Sequence, residues 1–167
     1  MSSPSLLLSS CARAATAAEA AYRIDAPIAP ARAARVVALD GGAVGVARRV
    51  AQHPWASARF LVCEGIADGG SADGLLLRRI DGAPAVLSVE LDRADVVVMI
   101  ATEDGGAACA SAIGRACAEL GIMTAGLVLG EGFESAAAVA ALRPHARVLL
   151  PSADESDVTE LLTALRA

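Results

Sequence analysis

Apolar residues along this chain fall into short unbroken blocks more often than into alternating ones. Residues 96–100 and 125–129 are continuous apolar runs, which a strand covered by helices on both faces requires. Between them lie Thr102-Glu103-Asp104-Gly105-Gly106 and a stretch of small residues that Gly121 closes, where a left-handed residue is wanted. The pattern is therefore strand, glycine turn, helix, buried strand. From Ala33 it repeats with short connections and predicts strands near 34–39, 59–63, 84–89, 95–101, 122–129 and 146–150. Helices are predicted near 43–53, 72–79, 106–120, 134–142 and 154–166, with Ser135 beside Glu134 and Ser152-Ala153-Asp154-Glu155 as start signals and Pro144 as a stop. Repeated β-α units of this length specify an α/β fold: a three-layer α/β/α sandwich, Rossmann-like, with a doubly wound, mostly parallel sheet and right-handed crossovers.

Residues 1–32 break the pattern and read as an Ala/Ser-rich arm with a short helix near 16–22 and a linker from Pro27 to Pro30. Residues 33–167 read as a single domain, long enough to bury roughly 70% of its unfolded surface. Leu8-Ser9-Ser10-Cys11 has the form of a lipoprotein cleavage site. The stretch before it has no basic residue, and its apolar run falls short of the ~7–15 residues of a signal peptide core. No apolar run approaches the ~18 residues of a membrane span. The expectation is a cytoplasmic protein with no membrane partner.

Composition narrows the chemistry. Apolar residues make up 55% of the chain but aromatics only 2%, so the core must be built from Ala, Val, Leu and Ile. All fourteen basic residues are Arg, and both Lys and Asn are absent. A Schiff-base lysine and a phosphate-loop lysine are excluded. With a net charge of −5 and arginines that read as scattered along the chain, nucleic acid is not an expected partner. Cys11, Cys63, Cys109 and Cys117 show no C-x-x-C spacing and read as reduced thiols used in packing.

Candidate sites fall where strands of a parallel sheet end. In Asp40-Gly41-Gly42-Ala43-Val44-Gly45, Gly42 and Gly45 take the second and third positions of a G-x-G-x-x-G fingerprint, and Asp40 stands where the first glycine belongs. Glu64 follows at the distance where a carboxylate would hold a ribose hydroxyl. The alternative is that these glycines pass a tight turn and Glu64 is solvated. The second loop contributes Thr102, Glu103, Asp104, Gly105 and Gly106, and the predicted edge also carries Glu131 and Asp154. Like charges repel a triphosphate of about four negative charges unless a metal intervenes. Either this acidic edge binds Mg²⁺ or a cationic or hydroxyl-rich small molecule, or it is a solvated rim without a ligand. His53, His145, Ser111 and the Cys109/Cys117 pair lack a recognisable catalytic setting, so no catalytic residue and no metal ligand is assigned. Trp55, beside Pro54, is a candidate partner anchor or a cap on the sheet.

The order of these pieces resembles the nucleotide-binding domain of the tubulin/FtsZ GTPase superfamily over about residues 33 to 155. Asp40-Gly41-Gly42-Ala43-Val44-Gly45-Val46-Ala47-Arg48-Arg49 is similar to that family's first glycine loop and the helix after it. The strand ending at Thr102 resembles the one entering its glycine-threonine signature loop, and residues 113–129 and 142–154 resemble the pieces that follow. The resemblance implies a nucleotide in the two glycine loops. Two carboxylates, Glu103 and Asp104, stand where the family has phosphate-facing donors, and the base-contacting Asn falls at Val46. The chain also ends at Ala167, before the segment that supplies the family's hydrolytic carboxylates. The reading is an FtsZ-like α/β domain without GTPase function, a binding or assembly module that pairs with a copy of itself through the Ala-rich segment 12–21 of its arm. The competing reading is an enzyme or sensor that binds a nucleotide or dinucleotide at Gly41–Gly45 and Gly105–Gly106.

Overall fold

A computed structural model describes residues 30–67, 72–130 and 135–167. The expected arm helix, the segment 12–21 expected to pair with a second copy, Cys11, Glu131 and Glu134 lie outside them. The elements in chain order are β1 (Ala34–Ala38), α1 (Gly41–Val50), β2 (Arg59–Ile66), β3 (Leu75–Arg79), β4 (Pro84–Ala85), α2 (Leu87–Leu91), β5 (Val96–Ala101), α3 (Ala107–Leu120), β6 (Met123–Leu129), α4 (Ala136–Leu142), β7 (Val148–Ala153) and α5 (Glu155–Ala164). The protein is thus mixed α/β. Among the described residues, seven strands form one sheet in the order β4-β3-β2-β1-β5-β6-β7. The five strands from β2 to β7 in that order are mutually parallel, whereas β3 runs antiparallel to β2 and β4 antiparallel to β3.

Residues 72–79 correct the sequence reading. In place of the expected helix they form a single 3-10 turn, Ala72–Gly74, followed by strand β3. The reason is visible side by side: Leu75 and Leu77 are buried while Leu76 and Arg78 are exposed, a period of two that suits a strand with one wet face. The strand expected over 84–89 shrinks to Pro84–Ala85, and Leu87–Leu91 coils into α2, burying Leu87, Glu90 and Leu91 at helical spacing.

Alternate residues of the central strands feed two cores. Val37, Leu61, Val97 and Met99 pack with Leu87 and Leu91 of α2, Ile113 of α3 and Leu142 of α4. Val36, Phe60, Val98, Ile100 and Leu127 pack with Val46 and Val50 of α1 and with Val158 and Leu162 of α5. Met99, Ile100, Ile113 and Leu127 are almost wholly removed from water, each contributing about 1.5–3 kcal/mol of transfer free energy. With so few aromatics, close approach does the rest. A Cβ on Gly114 of α3 would sit 2.4 Å from the His145 ring, so only glycine lets that helix close on the turn after α4.

Both sheet edges are short or interrupted. On one side β4 contributes two residues, pairing Ala85 with Leu77 and Pro84 with Arg78. On the other, β7 contains Pro151, and its register against β6 slips between Leu127 and Leu129.

Candidate functional site

The strand order reverses at β1, whose neighbours β2 and β5 are reached by chain segments leaving in opposite directions. In parallel sheets, ligands bind outside the carboxyl ends of the strands beside such a reversal. Here that place is bounded by the β1–α1 loop, with Asp40, Gly41 and Gly42, and the β5–α3 loop, with Thr102, Glu103, Asp104, Gly105 and Gly106.

The crevice is closed by its own side chains. Asp40 is the N-cap of α1, and its Oδ1 accepts from Ala43 N at 2.9 Å and from Thr102 Oγ1 at 2.5 Å. Its Oδ2 accepts from Thr102 N at 2.7 Å and Glu103 N at 3.1 Å. Three backbone N–H groups that could have faced a phosphate therefore face a carboxylate of the chain itself. Asp104 works similarly in the next loop: its Oδ1 accepts from Ala138 N at 2.9 Å and so caps α4. Ser135, expected to be that cap, makes no capping bond and instead donates from Oγ to the Thr102 carbonyl at 3.1 Å. An acidic side chain at a helix start is favoured by the exposed N–H groups and the helix dipole.

The glycines divide into two kinds. A Cβ on Gly42 would lie 2.2 Å from Thr102 Oγ1, and one on Gly106 would lie 2.5 Å from Leu39 Cβ and 2.6 Å from the Leu39 carbonyl oxygen. These two glycines are what lets the loops close on each other. Gly41 and Gly105 face open space, and Gly45 has only Arg49 Nη1 nearby, at 3.6 Å. Glu64 lies within β2, one strand away from the reversal, where its Oε1 accepts from Arg78 Nε at 2.8 Å on an exposed surface. Glu103 is exposed. Asp154 caps α5, accepting from Ser156 N at 2.7 Å and Asp157 N at 3.1 Å, and Asp157 returns a bond to complete a capping box. The hydrogen bonds from Ser156 first, then those from the backbone, hold the Asp154 carboxyl below its ordinary value. Among the described residues, no three His, Cys, Asp or Glu side chains gather in a way that could hold a metal ion.

The cysteines settle into packing, while Trp55 is held in place but stays partly exposed. Cys63, Cys109 and Cys117 are free thiols in the core, and burial pushes the Cys117 thiol up to about 12. Trp55 Nε1 donates to the Val50 carbonyl at 2.8 Å, and its ring meets His53 edge-on at 5.9 Å between centroids.

Sequence reasoning missed a charged cluster at the opposite, amino end of the strands. The arginines that read as scattered converge there on Glu90, whose carboxylate is 1% exposed. Arg79 Nε and Nη2 donate to Glu90 Oε1 at 3.1 and 2.9 Å, Arg35 Nε lies 3.3 Å from Oε2, and Arg59 Nη1 lies 3.6 Å from it. Arg35, itself buried, also donates to the carbonyls of Glu90, Ala34 and Arg93. Burial, and then the neighbouring Arg59 charge, lower the Arg35 guanidinium from its ordinary value. One sequence signal existed: Arg35 is a charge inside an otherwise apolar strand, and such a charge needs a partner. Among the described residues no helix is long and apolar enough to cross a membrane. No protein-family model matches the chain, and no characterised protein does.

Proposed function

We propose that this chain is a Rossmann-like, three-layer α/β/α domain, doubly wound and similar to the nucleotide domain of the tubulin/FtsZ superfamily, that acts as a binding or assembly module without GTPase activity. One observation carries the reading: the Asp40 carboxylate occupies the N–H groups of Ala43, Thr102 and Glu103. A bound phosphate would need those same donors. The capping of α4 by Asp104 and the exposure of Glu103 add negative charge to the crevice rather than donors. Self-association through the arm at residues 1–32 completes the module, giving a homodimer in the cytoplasm.

The test is calorimetric titration of the full chain with GTP and Mg²⁺, together with a phosphate-release assay. Neither micromolar binding nor turnover above a buffer blank is expected, and either one overturns the reading. Light scattering on the full chain and on a version starting at Ala31 tests the assembly role. A monomer in both refutes self-association, and an equally stable dimer in both refutes the part given to the arm.

A further inference from the structure

Two cavities, of about 410 and 380 Å³, open at the amino end of the parallel strands and meet at Ala58 and Arg59. The larger is lined by Trp55, His53, Arg59 and Arg79, the smaller by Arg35, Arg59 and Arg93. Four guanidinium groups thus border the pair, against a single acidic lining residue, Asp81. In a chain of net charge −5 this is a local inversion of sign. Glu90, packed behind the lining, and Asp95, whose Oδ2 accepts from the lining residue Ala33 at 2.8 Å, offset part of it. Three arginines share the Glu90 carboxylate, and its Oε2 accepts no hydrogen bond.

The arginines also differ in how firmly they are held. Arg35 is committed to three carbonyls. Arg59 reaches Glu90 only at 3.6 Å with its side chain 53% exposed, and Arg79, bound at 2.9 Å, is still 43% exposed. The loop between the cavities is pinned by Trp55 Nε1 on Val50 and by Ala56 N on the Ala167 carbonyl at 3.1 Å. Its shape is therefore set before anything binds. Planar guanidinium forks suit tetrahedral oxyanions, and an indole face beside them suits an attached ring.

We propose that this end of the sheet is a phosphate-binding site. Arg59 and Arg79 hold the phosphate group, Arg35 and Arg93 supply positive potential from the adjoining cavity, and Trp55 packs against any organic group the phosphate carries. The ligand chemistry is a phosphate dianion, either free or as a small monoester. The site lies at the other end of the strands from the Asp40 crevice and does not depend on how that crevice is read.

Trp55 is the sole tryptophan of the chain, so its fluorescence reports on this site without a label. The full chain is titrated at about pH 8, where phosphate groups are dianions, with inorganic phosphate, phenyl phosphate and benzoate. Saturable binding of both phosphates below about 10 mM is expected, weakened about tenfold or more by Arg59→Gln. Arg48→Gln, at an exposed position in the last turn of α1, is expected to bind as the wild type does. Circular dichroism confirms that each variant is folded, and Arg93→Gln gives a second, milder loss. Tighter binding of phenyl phosphate identifies a monoester, and equal binding identifies phosphate itself. Absence of saturation, undiminished binding by Arg59→Gln, or benzoate binding as tightly as phenyl phosphate overturns the proposal. A GTP signal abolished by Arg59→Gln belongs to this site, whereas one that survives it bears on the Asp40 crevice.

Discussion

Replacing Asp40 with Asn changes one atom and tests whether the carboxylate holds the two loops together. Asn is as good an N-cap as Asp, so its remaining oxygen can still accept from Ala43 N and Thr102 Oγ1. The other oxygen becomes an NH₂ group directed at the N–H groups of Thr102 and Glu103, which now donate to it at 2.7 and 3.1 Å. Two hydrogen bonds to a charged acceptor are lost and donors face each other. Bonds of that kind contribute about 1.5–3 kcal/mol each, reduced here because the exposed Glu103 N–H can turn to water. The expected cost is about 2–3 kcal/mol for Asp40→Asn and about 1 kcal/mol more for Asp40→Ala, which also removes the helix cap. Urea unfolding followed by circular dichroism reads this directly: with a slope of about 2–3 kcal/mol per molar, the midpoint falls by about 1 M. A loss below about 0.5 kcal/mol for Asp40→Asn, the level of an ordinary surface change, would show that Oδ2 does not secure the β5–α3 loop and would remove the main support for the closed crevice.

Three further outcomes follow from other parts of the molecule. Glu90→Ala strips the counter-charge from buried Arg35 and is expected to cost about 3–5 kcal/mol, whereas Glu155→Ala, which breaks the solvent-screened, exposed pair with Arg49 at 2.7 Å, is expected to leave the midpoint nearly where it was. Equal losses in the same unfolding assay would contradict the burial argument. Gly106→Ala drives a methyl group into the Leu39 backbone and is expected to cost about 1–3 kcal/mol, while Gly105→Ala, facing open space, stays within about 0.5 kcal/mol; similar midpoints for the two variants would refute it. The depressed Asp154 carboxyl gives stability that is full above its ordinary value of 3.8 and disappears as pH falls through the lower folded value. The stability gap between wild type and Asp154→Asn is therefore expected to close only below about pH 3.8, and a gap unchanged down to about pH 2 would count against it.

The parallel strands were legible because their signal is local and strong. β5 and the 125–129 stretch of β6 are continuous apolar runs, β1 is apolar but for Arg35, and Gly121, at φ 69°, ends α3 as its sequence position suggested. The β3–β4 hairpin was not, because Leu75-Leu76-Leu77 reads equally as helix or strand until one knows that β2 offers a free edge. At the carboxyl end the sequence placed Asp40, Thr102 and Glu103 near one another, but it could not show that Asp40 is itself the acceptor for the other two. The fingerprint treats its first position as a missing glycine, whereas the folded chain uses it as a built-in anion. The amino-end cluster was hidden for a plainer reason: Arg35, Arg59, Arg79 and Glu90 come from four separate elements, and no spacing rule connects them.

The interrupted borders of the sheet bear on the language in which a second chain could address it. Strand-to-strand joining is read by the backbone alone, so it is indifferent to sequence and hard to limit to two partners. A two-residue strand at one border and Pro151, which lacks an N–H, at the other both shorten the backbone ladder that this generic route could use. A contact at these borders would have to be spelled out largely in side chains, so its partner choice could be rewritten one residue at a time while the sheet beneath remains as it is.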